Sequence, residues 1–455
     1  MENISNDKAE LLDAAVRPIL HSGRKFRLLV LVLGIIVIIG GVAYANQFIS
    51  GLGVTGLNND VFWGIYIINM VALIGISYGG AVVSAILRLT NSGWRAPITR
   101  LAEGMAVAAL LVGAMFPIID MGHPTHIWRL LTSPNPTSPI VWDIVAITTY
   151  LIATLFFFYL PLIPDLATCR DKLGNDVGLW RKKIYSVLSL GWTGLPRQVR
   201  ALNWGSKIIA IIIIPLAVAV HSVLSWVFAV TSRPGWHSTI FGPYFVVAAL
   251  FSGVAAVILV VAGFRKAYHL EKFIGEKQIR YLSYLMLVLG VMYLYFTFSE
   301  FLTDGFAMDA SSVPLIESLL LTNYAPLFWS FVVAAGIVPV LIVAIPKTRT
   351  IRGLVIASVL VVIGMWVKRF LILIPVMRQA LFPSATQSYS GSITEVAITL
   401  AAVAAIPLIL ILIFRVFPVI SVHEMEEVEA RESERKTKLA VGLQPAKKEV
   451  SDEVY

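Results

Sequence analysis

The stretch that decides the fold runs RLLVLVLGIIVIIGGVAYANQF, Arg27 to Phe48, and follows a polar lead that ends Arg24-Lys25-Phe26. It exceeds the roughly 18 apolar residues needed to cross about 30 Å of hydrocarbon, and Arg27 is its only charge. No signal-peptide pattern precedes it, so it is expected to stay in the membrane. Working outward, similar runs recur at 61–89, 100–120, 140–163, 206–230, 241–264, 281–303, 320–345, 353–377 and 392–417. The expected fold is therefore all-α and polytopic, with ten transmembrane helices.

Composition agrees. The 455 residues are 58% hydrophobic and 14% charged, against roughly 25% charged in soluble chains. No sizeable soluble domain fits. A single cysteine, Cys169, excludes an internal disulfide and a cluster held by four thiolates. The formal charge of +9 is informative through its placement rather than as a nucleic-acid signal. With a cytoplasmic N-terminus, 31 Lys and Arg fall on the cytoplasmic side and only Arg129, Arg233 and Arg378 on the outer side. One span more or fewer would invert that pattern. Both termini are thus expected in the cytoplasm, on a chain in the inner cell membrane. Residues 1–26 form a cytoplasmic segment, 27–417 the membrane domain, and 418–455 a cytoplasmic tail, read as solvated and without chemistry.

Loop 165–205 carries Arg181-Lys182-Lys183, Trp192 and Trp204. It reads either as an amphipathic surface segment or as a plain basic connector. The opening Phe62-Trp63-Gly64-Ile65-Tyr66 of span two is echoed by Phe241-Gly242-Pro243-Tyr244 of span six. The echo fits two four-helix bundles, 61–230 and 241–377, plus two peripheral helices.

Ionisable groups are expensive in lipid and either mark function or pair with one another. Asp120, His123, Asp143, His221, Glu300, Lys368 and Arg369 all fall toward the outer face, with Trp63, Tyr66 and Asn69 at the head of span two. The bland reading is mutual neutralisation of acids and bases. The sharper one is a quinone pocket: carbonyl oxygens need donors, and carboxylates or a histidine move the protons. Haem would need a facing histidine pair, and only His221 is clearly intramembrane, so no haem is expected. Metal binding by His123 and His126 rests on a common spacing. Tyr78, Glu103, Tyr150 and Asp165, in the cytoplasmic half, read as a candidate proton path or as ordinary helix-to-helix bonding.

Several segments together resemble the NrfD-like family, the membrane subunits of polysulfide reductase and related complexes. They are Phe62-Trp63-Gly64-Ile65-Tyr66-Ile67-Ile68-Asn69, Asp120-Met121-Gly122-His123-Pro124, Ser138-Pro139, Trp142-Asp143 and Ile163-Pro164-Asp165-Leu166-Ala167-Thr168. His221-Ser222-Val223, Pro234-Gly235-Trp236-His237-Ser238-Thr239-Ile240-Phe241, Tyr295-Phe296-Thr297-Phe298-Ser299-Glu300 and Lys368-Arg369-Phe370 continue them in order. Within the family the chain is most similar to the ten-span subunits of alternative complex III. That pattern has a histidine at Asp120, an arginine at His123 and an acid at Val227; Asp143 matches its acid.

The resemblance implies two four-helix bundles and a quinone, menaquinone in the first place, near the outer face. It implies no haem or iron–sulfur cluster on this chain, and electron exchange with an outer-face iron–sulfur subunit. A multihaem cytochrome c, other membrane subunits, lipids and a role in proton translocation are further implications. On this reading the chain is a quinone-handling subunit of a respiratory or photosynthetic oxidoreductase. Asp120, His123 and Asp143 handle protons, Trp63, Tyr66, Asn69, His221 and Glu300 line or support the pocket, and Lys368 and Arg369 balance charge. The rivals are an ion-coupled secondary transporter and a structural anchor with an inactive pocket.

Overall fold

The computed structural model describes residues 2–20, 23–173, 177–231, 233–379 and 389–440. Residues 441–455, the end of the expected tail, lie outside these. Among the described residues, ten helical segments are long and apolar enough to cross a membrane, one for each expected span.

Helix α1 (Glu2–Leu20) leads into the first span, α2 (Arg24–Ser50), and α3 (Ile65–Leu89) is the second. The third is α4 (Ala96–Gly113) continued by α5 (Phe116–Asp120); the break falls just ahead of Pro117, which has no amide hydrogen to carry the ladder across. Short α6 (Arg129–Thr132) precedes the fourth span, α7 (Pro139–Tyr159). The run expected to reach 163 stops at Tyr159. Pro161 cannot extend it, and α8 (Leu162–Lys172) restarts with Pro164 near its beginning. After α9 (Leu179–Leu188), the fifth span α10 (Pro196–Ala229) starts well before residue 206, on a polar stem. Then come α11 (Phe241–Ala267), α12 (Glu276–Ala307) and short α13 (Val313–Leu320). The eighth span joins α14 (Ala325–Phe331) to α15 (Val338–Ala344) through a π-helical turn, Val332–Ile337. Helices α16 (Ile351–Met377), α17 (Ile393–Val416) and α18 (Val422–Ala440) are the last among the described residues.

Helices α3, α4, α7 and α10 pack in a ring, and α11, α12, α15 and α16 pack in another. The rings meet chiefly along α3 and α11. A Cβ on Gly79 would fall 2.3 Å from the Gly253 Cα, so the two backbones touch there. In lipid such close approach of small residues supplies the dispersion contacts that hold helices together. Helices α2 and α17 pair with each other, and α17 rests on α4. Leu28, Leu31, Ile35, Ile38 and Val42 of α2 are exposed, a face suited to acyl chains.

The start of the tail differs from the expectation of solvated chain, and the N-terminal segment is docked as well. Helix α1 buries Leu11, Ala15, Val16 and Ile19. Val419, Ile420 and Ser421 are covered, the Val419 amide donates to the Ala15 carbonyl at 3.2 Å, and Glu424 is 4% exposed. The start of the tail is docked, because its acid meets arginines at the ends of α3 and α4.

Candidate functional site

A cavity of about 160 Å³ lies within the first ring, at the end opposite the chain termini. Four elements line it at helical spacing. Trp63 comes from the loop just before α3, Ile67 and Met70 from the first turns of α3, Pro117 and Asp120 from α5, Ile140, Asp143 and Ile144 from α7, and Leu224, Val227 and Phe228 from α10. Positions three or four apart share a helix face, which is why each helix contributes one short stripe.

Trp63 forms one wall. Its ring stacks on Trp236 with centroids 6.2 Å apart, and Phe228 meets it edge-on at 5.7 Å. Trp236 is fixed in turn by donating Nε1 to the Ile372 carbonyl at 2.9 Å. The loop carrying Trp63 is tied down by Glu395 of α17. One oxygen of Glu395 accepts from the Gly56 amide at 2.7 Å and the Ser392 amide at 2.8 Å, and the other from the Tyr389 hydroxyl at 2.7 Å. The Tyr389 hydroxyl also accepts from the Ile65 amide at 3.1 Å. A Cβ on Gly64 would sit 2.7 Å from that hydroxyl, so only glycine admits the contact.

Asp120 and Asp143 face one apolar cavity. The Oδ1 atom of each is buried with no hydrogen-bond partner. A buried polar atom left unpaired costs about 1–3 kcal/mol, and more if charged. Two in one cavity call for a partner that the described residues do not supply. A cavity of about 150 Å³ admits a benzene-sized ring, so the space matches one flat head group.

The other expected residues fall elsewhere. His123 is exposed in the loop after α5, its ring 5.7 Å from that of His126. Tyr66 is buried on another face of α3 and donates to the Gln47 side chain at 2.6 Å, while Gln47 donates to the Ile119 carbonyl at 2.7 Å. Asn69 donates to Thr399 at 2.8 Å and accepts from Trp366 Nε1 at 2.8 Å. These two brace α3 against its neighbours rather than line the cavity.

His221 is buried, its ring lies tilted against Tyr78 with centroids 4.6 Å apart, and its Nδ1 is 3.3 Å from the Ala217 carbonyl. It lines a much smaller cavity with Tyr244, Tyr293, Lys368 and Arg369. Glu300 pairs with Lys368 at 3.5 Å in the second ring. Arg369 donates to the Met365 carbonyl at 2.7 Å and to Ser252 at 3.3 Å. Lys368 therefore balances Glu300, and neither base lines the cavity holding the two aspartates. Of the candidate path residues, Tyr150 is buried in the first ring. Glu103 accepts from Ser84 at 2.6 Å, and Asp165 pairs with Arg100 at 2.8 Å.

Residue-type reasoning passed over the apolar lining and the Glu395–Tyr389 brace. Helical spacing from Trp63 would have found Ile67 and Met70. Nothing local announces Glu395, whose partner Gly56 is 339 residues away.

The family model for the polysulphide reductase NrfD family matches residues 53–380. The chain belongs to the NrfD family. The matched span contains the whole cavity and both rings. A Halobacterium salinarum protein described as a membrane subunit of dimethyl sulfoxide reductase is 30% identical over 77% of each chain. A selenate reductase subunit of Mesobacillus selenatarsenatis is 26% identical over 79% of this chain and 84% of its own. The Hdr-like menaquinol oxidoreductase integral membrane subunit of Archaeoglobus fulgidus is 26% identical over 76% and 78%. This NrfD-family chain is thus a multi-pass membrane protein. The brace from Glu395 and the docked tail lie beyond the matched residues.

Proposed function

We propose that the chain is the quinone-reactive membrane subunit of an oxidoreductase complex, and that the cavity between Trp63, Asp120 and Asp143 takes the quinone head group. The observation that carries this reading is the pair of buried, unpartnered carboxylate oxygens in a ring-sized, apolar slot. A quinol gives up two protons with its two electrons. Asp120 and Asp143 offer one acceptor oxygen each, and Trp63 presents a flat wall to the ring. Protonated, the same carboxyls donate to the carbonyl oxygens, so the site serves either direction. Menaquinol is the natural first substrate to test, given the name of the Archaeoglobus relative.

Electrons pass to or from a partner docked over the cavity. An iron–sulfur subunit is the first candidate, with a multihaem cytochrome as the second. Phe62, Ile127, Trp128 and Trp142 are exposed on that side and suit such a contact. By charge placement it is the outer face, with both termini cytoplasmic and the two rings acting as separate four-helix bundles. The cavity lies at helix ends rather than at the bilayer midplane, which favours this reading over a transporter.

The test uses the purified complex. Asp143→Asn is expected to lower quinol oxidation and quinone reduction by roughly 100-fold, the scale of a lost acid–base group, with assembly unchanged. Wild-type rates in that variant would overturn the assignment.

A further inference from the structure

At the face opposite the cavity, the first ring ends in three arginines. Arg100 is paired within the ring, to Asp165 at 2.8 Å and the Pro161 carbonyl at 3.0 Å. Arg88 reaches Glu103 at 3.2 Å. The tail supplies what remains. Glu424 pairs with Arg88 at 2.7 Å through one oxygen and with Arg95 at 2.6 Å through the other, which also accepts from Thr99 at 3.3 Å. The adjacent His423 amide donates to Asp165 at 3.0 Å.

Behind this contact the largely apolar ring interior holds several polar side chains. Ser84 and Glu103 come first, then the Ser77, Tyr150 and Thr154 hydroxyls, buried without hydrogen bonds of ordinary geometry. Asp143 lies two turns from Tyr150 on α7, at the cavity. Buried hydroxyls and carboxylates of this kind are the groups that take up water and protons where a bundle end opens to solvent.

We infer that residues 419–427 are a built-in plug, with Glu424 seated in an Arg88–Arg95–Thr99 receptor, sealing this end of the first ring against water and protons. The inference does not depend on which molecule fills the cavity at the other end.

Cys169, the only cysteine in the chain, is a natural reporter. It is buried beside Leu166 and Tyr185, one turn from Asp165, and the Tyr185 hydroxyl donates to the Val416 carbonyl at 2.8 Å, just before the plug. The purified complex is reconstituted in liposomes without quinone turnover. Maleimide labelling of Cys169 is read by peptide mass, and passive proton leak by an internal pH dye. Glu424→Gln is expected to raise both by about tenfold, the factor that about 1.4 kcal/mol of lost charged hydrogen bonding gives. Glu424→Asp, which keeps the charge, is expected to restore much of the seal. Truncation after Phe417 should exceed both point variants; if the truncated chain does not assemble, the point variants carry the test. Unchanged Cys169 labelling in Glu424→Gln would overturn the plug. Exposed Cys169 with a wild-type leak would overturn the seal.

Discussion

Asp120 and Asp143 are the residues to which the proposed chemistry assigns the protons, and His123 is the instructive contrast. All three are polar and sit in the same stretch, yet only the two aspartates reach the cavity. His123→Ala is therefore expected to leave quinol turnover near the wild-type rate, measured beside Asp143→Asn in the same assay. Lys368 makes a separate prediction. It pairs with Glu300 among the ring faces of Tyr244, Phe301, Phe328 and Phe331, 5.2–6.0 Å away. Lys368→Met strands a buried carboxylate and should cost about 3–5 kcal/mol; adding Glu300→Gln should recover most of it, read as thermal melting in detergent. Equal melting of the single and double variants would show that the pair is not coupled. The aspartates are legible in the sequence because charge stands out at the end of an apolar run. Tyr66 and Asn69 are not, because residue type says nothing of helix face: Trp63, Ile67 and Met70 share a stripe, and the other two lie on the next one. Val227, where the alternative complex III pattern has an acid, lines the cavity and makes this wall apolar.

At the level of elements, the spans are legible because a membrane helix must satisfy its own backbone and hide no polar seam from lipid. What packs against what is not. The touching backbones of α3 and α11 are the clearest case. Gly79→Ala would set a methyl within 2.3 Å of the Gly253 Cα and should destabilise the chain by about 1–3 kcal/mol. Gly34→Ala on α2, where nothing lies within 4 Å, should be neutral in the same melting experiment. The docked end of the tail is illegible for a related reason: a Glu-rich run looks solvated until its cationic seat is known. Burial pushes the Glu424 carboxyl up, but Arg88, Arg95 and Arg100 outweigh this and hold it below the ordinary glutamate value. Thr99 and Glu103 of α4 and Glu427 of α18 complete its polar surroundings. A depressed folded-state value means the contact stabilises fully above the unfolded value of about 4.3 and is lost as pH falls through the folded value. The melting difference between wild type and Glu424→Gln should be clear at pH 7 and close on acidification below about pH 4.

For the whole molecule, the alternation of charge along the loops makes one statement that hydropathy alone cannot: which way the bundle faces. Reporter fusions at either end should be active in the cytoplasm, and fusions in the loop after α5 should not be; the opposite result would reverse the orientation and move the cavity to the other side. The pairing of α2 with α17 has a further consequence in time. The first of the ten spans has as its main partner the tenth, and α1 likewise waits for Val419. Until then the leading span meets the growing bundle chiefly at its Gln47 end, through Tyr66 and the Ile119 carbonyl. Only when the ribosome has finished the tenth span can the two ends of the chain clasp. A polypeptide halted before the tenth span therefore leaves the α17-facing side of α2 uncovered, a surface prone to misassembly.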